Sequence, residues 1–152
     1  MNRVDVLNTY PGPASLPDAA ATERFLTACL QLLNLDDCEV SILITTDDEI
    51  QQLNRVYRNI DTPTDVLSFS QADDDGDILP SGFLGDVVVS VDTLRENCEY
   101  FDVTVEQEYH RLLLHGLLHL IGYDHASNNA DEPMLSLQED ILAGLRADRV
   151  TE

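Results

Sequence analysis

The chain has 152 residues, 43% of them apolar, and sets 8 basic side chains against 29 acidic ones for a formal charge of −21. That length suits a single domain spanning 1–152 that buries its own core, with the apolar fraction of an ordinary globular protein. No uninterrupted apolar run approaches the roughly 18 to 20 residues that cross a bilayer, and Asp5 stands where a signal peptide would be apolar. A membrane span and export are therefore not expected, and a cytoplasmic location is. Cys29, Cys38 and Cys98 are odd in number and lack C-x-x-C spacing, so they read as small buried hydrophobes rather than a disulfide framework or a cysteine zinc site.

Val4 and Val6 alternate with polar neighbours, predicting a short first strand that ends in the turn-forming stretch from Pro11 to Pro17. From Asp18 to about Leu33, Phe25, Leu26, Cys29, Leu30, Leu32 and Leu33 recur at helical spacing. EVSILIT at 39–45 is β-branched and apolar, a strand buried on at least one face. Thr46 and Glu49 form a capping-box pattern opening a helix through Ile50, Leu53 and Tyr57, which the stretch Asp61 to Thr64 breaks with Pro63. DVLSFS at 65–70 and FLGDVVVSV at 83–91 read as two neighbouring strands joined by an acidic turn, whose run at 73–77 lacks the distal Glu of a calcium loop. Ser90 or Asp92 caps a short helix to about Tyr100. Thr104 and Gln107 then repeat the capping-box pattern before a long apolar helix that reaches Ile121 and stops at Gly122. Asp131 and Pro133 signal a last helix with Met134, Leu137, Ile141, Leu142 and Leu145 on one face, and the tail from Asp148 to Glu152 is expected to fray.

All 8 basic residues are Arg, and Asp outnumbers Glu 19 to 10. Such a surface repels polyanions and, taken alone, argues against nucleic acid. It fits either adaptation to a saline cytosol, where salt shortens the reach of the repulsion, or simply a solvated acidic face.

Three of the four histidines fall within the eleven residues HGLLHLIGYDH, at 115, 119 and 125. His115 and His119, at i and i+4 on a helix, sit about 6 Å apart within reach of one metal ion. A left-handed turn at Gly122 would bring His125 back toward the same ion. Three neutral imidazoles with an open fourth position are the arrangement of a catalytic zinc. His110 lies on the far side of that helix and is left out. Asp124 is read either as a carboxylate orienting a ligand or as a solvated turn residue. The spacing H-x-x-x-H-x-x-G-x-x-H is the one metzincin peptidases use, but Gly116 stands where their general base Glu follows the first His. The metal pattern survives while peptidase chemistry is weakened.

HGLLHLIGYDH resembles the signature of the YbeY family of bacterial endoribonucleases, in which Gly replaces that Glu. LNRVYRNIDTPTDVLSFS at 53–70 is similar to the family's L-N-x-x-Y-R-x-x-D-x-P-T-D-V-L-S-F-P block, departing at Ser70 where Pro is usual. LGDVVVS at 84–90 resembles its L-G-D-I-x-I-S strand, and Met134 through Leu142 its closing helix. The resemblance implies a single α+β domain with a small mixed β-sheet packed with helices and a metal site on a long helix and the turn after it. It also implies one zinc per chain held by His115, His119 and His125, and cleavage of single-stranded RNA. In the family this serves ribosomal RNA processing, chiefly of the small subunit, ribosome maturation and ribosome quality control.

Arg58 matches the family's functionally important arginine, and a guanidinium can take a phosphate bidentately and offset the charge that develops on it. A surface salt bridge to Asp61 or Asp65 is the plainer reading of the same residue. Asp61, Thr64, Asp65 and Ser68 fit a turn and strand start as well as catalysis; Gly85 and Asp86 shape either the sheet or the cleft. The attacking group is either the RNA 2′-hydroxyl or a water. Two other readings compete: a zinc hydrolase of peptides or small amides, and a non-catalytic ribosome-associated factor whose acidic surface docks a basic ribosomal protein. Arg55 and Arg58 form the obvious local basic pair, to which Arg95 and Arg111 are candidates to add.

Overall fold

Every second residue of CEVSILIT is apolar, so a strand through it presents one continuous apolar face, and the core is built on that face. In the computed structural model, which describes residues 1–71, 82–123 and 133–151 with side chains through 146, this segment is the parallel partner of two other strands. The elements in chain order are β1 Arg3–Asn8, α1 Ala19–Leu32, β2 Cys38–Thr45, α2 Asp47–Arg58, β3 Val66–Ser70, β4 Gly82–Ser90, α3 Val91–Phe101, α4 Val105–Leu120 and α5 Pro133–Thr151. The sheet runs β1-β2-β4-β3, with β1, β2 and β4 parallel and β3 antiparallel at the edge, so it is mixed and the domain is α+β.

Alternation along the strands divides the core in two. Val40, Ile42, Ile44, Val87 and Val89 face α1, α3, α4 and α5, meeting Leu26, Leu94, Leu113, Leu117 and Met134 among others. Leu43, Val88, Leu67 and Phe69 face the other way onto Ile50 and Leu53 of α2. Burying a Leu or Ile side chain contributes roughly 1.5 to 3 kcal/mol, so the first cluster dominates stability and α2 is the lightly held element. Cys29 and Cys38 are buried and Cys98 is half-buried, with no disulfide among them; burial pushes the Cys29 thiol up to about 12, as suits an inert core residue.

The helix ends follow their caps. Asp18, Thr46, Ser90 and Thr104 each accept the backbone N–H three residues on, and only Thr104 completes a capping box, with Gln107 reaching back to its N–H. Glu49 instead takes the Thr45 hydroxyl, and Asp92 is drawn off to Asp47 N–H and Tyr10 OH. Two expectations need correcting. α2 ends at Arg58 because Asn59 adopts a left-handed φ of 59°, five residues before Pro63 acts. α5 continues through Thr151 rather than fraying from Asp148. Asp131 and the acidic run at 73–77 lie outside the described residues.

Two glycines set the sheet against α4. Gly85, at φ 140°, follows the bulged Leu84 of β4, and a Cβ there would lie 2.1 Å from Phe69 O. At Gly116 a Cβ would lie 2.6 Å from Val87 Cγ1, so the absent side chain is what lets α4 approach the sheet. Gly85 therefore shapes the sheet rather than lining the cleft.

Candidate metal centre and its cavity

α4 carries His115 and His119 on the face turned toward the edge strand. Their rings stand nearly perpendicular, 4.7 Å apart, and their Nε2 atoms approach to 3.2 Å. His115 Nδ1 lies 2.9 Å from the side-chain oxygen of Gln138. Because a carbonyl oxygen only accepts, that contact puts the His115 proton on Nδ1 and leaves Nε2 with its lone pair toward His119. Gln138 is 4% exposed and sits on α5 among Met134, Ile141 and Leu142, so its orientation is fixed by packing.

The donor set can be tested by geometry. Two imidazole nitrogens bound tetrahedrally to zinc at about 2.0 to 2.1 Å stand roughly 3.3 to 3.4 Å apart. The His115 and His119 pair, at 3.2 Å, needs almost no movement to meet that condition, and the Nδ1–H bond to Gln138 is the outer contact that metal-binding histidines usually make. No group of three or more His, Cys, Asp or Glu side chains suited to a metal is present among the described residues, and His125 and Asp124 lie outside them. The turn that leads toward His125 is described. Gly122 has φ 100°, its N–H reaches His119 O at 3.1 Å and Tyr123 N–H reaches Leu118 O at 3.0 Å, the paired bonds of a Schellman motif.

His115 and His119 form one wall of a cavity of about 420 Å³ whose other lining residues are Arg58, Thr64, Asp65, Val66, Ser68 and Ser70. Ser68 and Ser70 donate their hydroxyls to Gly116 O and Leu120 O, pinning β3 to α4. Ser70, which departs from the family's usual Pro, thus ties down a carbonyl at the helix end. Ser90 N–H bonds Asp65 O and Gln71 N–H bonds Leu84 O, so alternation turns the Ser68 carbonyl off the free edge of the sheet. Arg58 reaches across that edge from α2 and donates Nη2 to Ser68 O at 3.0 Å.

Among the described residues Arg58 pairs with no carboxylate: Asp61 is held by Gln51, and Asp65 by Thr64 and Asn97. The Asn97 amide also donates to Glu108 Oε2 at 3.0 Å; burial pushes the Glu108 carboxyl above its usual value, while that hydrogen bond and then Arg111 oppose the rise. Arg95 and Arg111 do not join the site. Arg95 is engaged by Tyr10, Pro13 O and Ala14 O, and Arg111 by Glu139 and Glu108. His110 stacks on Phe25 at 4.0 Å and lines a different cavity, of about 450 Å³. Asp61, Gly85 and Asp86 do not line the cavity of the histidines.

Gln138 was not singled out by motif, although a polar residue on the apolar stripe of the last helix is a readable signal. Gly116 now has a reason beyond chemistry. A Glu at that position would drive its Cβ into Val87 and its stem toward Ser68, so this fold has no room for a metzincin base there.

Comparison with known proteins agrees with the motifs. The sequence profile of the family described as "Endoribonuclease YbeY" matches residues 16–146. Proteins named "Endoribonuclease YbeY" from Treponema denticola (42% identical over 143 residues, 93% of this chain and 92% of the relative) and from Roseiflexus castenholzii (38% over 148 residues, 93% and 91%) are similar along nearly their whole lengths. The solution structure of TM1509 from Thermotoga maritima superposes with a TM-score of 0.61 at 26% identity, covering 100% of this chain and 96% of that one. With its profile, relatives and fold in agreement, the chain belongs to the endoribonuclease YbeY family.

Proposed function

We propose that the chain is a zinc-dependent, single-strand-specific endoribonuclease acting in small-subunit ribosomal RNA processing, ribosome maturation and ribosome quality control. The observation that carries this reading is the shared cavity, with two imidazole Nε2 atoms 3.2 Å apart on one wall and, on the other, an arginine that pairs with no carboxylate among the described residues. His115 and His119 would hold the zinc with His125 completing the set, and Gln138 keeps the His115 proton away from the metal face. When bound, zinc supplies Lewis-acid polarisation of a phosphate oxygen. Arg58 has N–H donors left after its bond to Ser68 O, enough to take a non-bridging phosphate oxygen and offset the charge that develops during cleavage. Asp65, oriented by Asn97 and Thr64, stands in the same cavity as a proton acceptor for the attacking hydroxyl or water.

The peptidase alternative lacks both the base and the space for it at Gly116. The test is cleavage of single-stranded ribosomal RNA by the zinc-loaded protein beside His119→Ala. Loss in the variant is the expected result, with a 2′,3′-cyclic phosphate product if the 2′-hydroxyl attacks and none if water does. Equal cleavage by both proteins, or none by either, overturns the proposal, the latter leaving a ribosome-docking factor as the better reading.

A further inference from the structure

Across the edge of β3 from the histidines, the end of α2 presents an exposed apolar and aromatic surface next to the cavity. Tyr57 is 67% exposed, and Val56 and Ile60 beside it are exposed as well. The Tyr57 ring meets Phe69 with centroids 5.3 Å apart and planes inclined at 66°. Phe69 is itself packed into the small core under α2, so Tyr57 leans on a fixed support, and an edge contact of this kind engages at most one face of either ring. Phe69 stands between Ser68 and Ser70, both of which line the cavity from the opposite side of the same strand. Tyr57 precedes Arg58, which crosses the strand edge into that cavity. The aromatic pair and the cavity are thus separated by the thickness of one edge strand and joined by Arg58.

Charge is also divided along α2. Asp47, Asp48 and Glu49 occupy the first turn of α2, about 12 to 15 Å along the axis from Tyr57, while Arg55 and Arg58 occupy the last turn and pair with no carboxylate among the described residues, Asp61 being held by Gln51 and Asp65 by Thr64 and Asn97. An exposed aromatic face beside an arginine is how proteins take up unpaired nucleotides: the cation holds the backbone and the ring stacks a base.

We infer that Tyr57, braced by Phe69 and next to Arg58, is a stacking platform for one unpaired base of a single-stranded RNA, next to the phosphate held in the cavity. The inference rests on the endoribonuclease reading and deepens it, because only a base released from pairing and stacking can lie flat on the ring, which gives the preference for single strands a physical origin. Tyr57 is then a specificity residue that touches substrate away from the reacting atoms.

The test is anisotropy of a labelled 2′-O-methyl RNA single strand, and of the same strand in a duplex, titrated with zinc-loaded wild type, Tyr57→Phe, Tyr57→Leu and Tyr57→Ala. Most of the Tyr57 side chain is in solvent, so all four proteins are expected to melt alike. Tyr57→Ala and Tyr57→Leu should weaken single-strand binding about tenfold, Tyr57→Phe less than twofold, and duplex binding should not move. Single-strand affinity unchanged in Tyr57→Ala, or restored by Leu, overturns the platform while leaving the nuclease reading intact. Wild type that binds no single strand overturns both.

Discussion

At the scale of single residues, the site depends on a group that does not touch substrate. Gln138 accepts the Nδ1 proton of His115 and so decides which nitrogen of that ring is available to a metal. Gln138→Met, close in volume and without an acceptor, should therefore weaken zinc binding about 10- to 100-fold in a competition titration against a chelator while shifting the melting temperature little. Unchanged zinc affinity would mean that the contact is packing alone. That His115 and His119 share a face was legible from their i, i+4 spacing, and Arg58 was marked by its place in the family block; the structure brings all three to one cavity. Gln138 was harder to see because its role depends on α5 lying against α4, a contact between residues 23 apart. The same limit applies to Ser68 and Ser70. Sequence placed them on a strand, but only the packing of β3 on α4 shows that they donate to helix carbonyls, and only the alternation of the β3–β4 ladder shows that the Ser68 carbonyl is left for Arg58.

At the scale of elements, strands and helices were readable because their periods are imposed by burial, whereas their ends were readable only where a cap or breaker is local. Thr104 with Gln107 and Asp18 with Ala21 started their helices as expected, but Pro63 misled, since Asn59 had already turned the chain at Arg58. That early stop has a consequence: it leaves Arg58 in the last turn, from which it can reach over the strand edge. Gly122 is the corresponding device on α4. Its φ of 100° is a region L side chains rarely adopt, and its turn directs the chain toward His125. Gly122→Ala should cost about 1 to 2 kcal/mol, read as a lower midpoint in urea, together with weaker zinc binding. A variant that loses stability but keeps full zinc affinity would separate the turn from the metal site.

At the scale of the whole molecule, a chain with a formal charge of −21 must attract a polyanion using very few cations. Of the arginines with described side chains, Arg3 and Arg111 are paired with carboxylates, Arg95 is bound to Tyr10 and two backbone carbonyls, Arg146 donates to Leu142 O and Arg24 lies on α1 beside Ala20 and Glu23, which leaves Arg58 in the cavity and Arg55 one turn before it on α2. Single-strand affinity falls with salt at a log–log slope near −0.7 per phosphate neutralised, so two contacts give a slope of about −1.4, or roughly 25-fold over a tenfold rise in salt. A nuclease making six or more such contacts would lose far more over the same range. Salt also screens the repulsion between RNA and the acidic remainder of the surface, to within about 3 Å at 1 M, and that effect flattens the slope further. Binding and cleavage of single-stranded RNA should therefore persist into high salt, and measuring affinity from low salt to 1 M checks this. A slope at or shallower than −1.4 favours a two-arginine site in a protein suited to a saline cytosol. A slope steeper than about −4 would require phosphate contacts from cations other than Arg55 and Arg58 and would remove the argument that this end of α2 is where RNA is held.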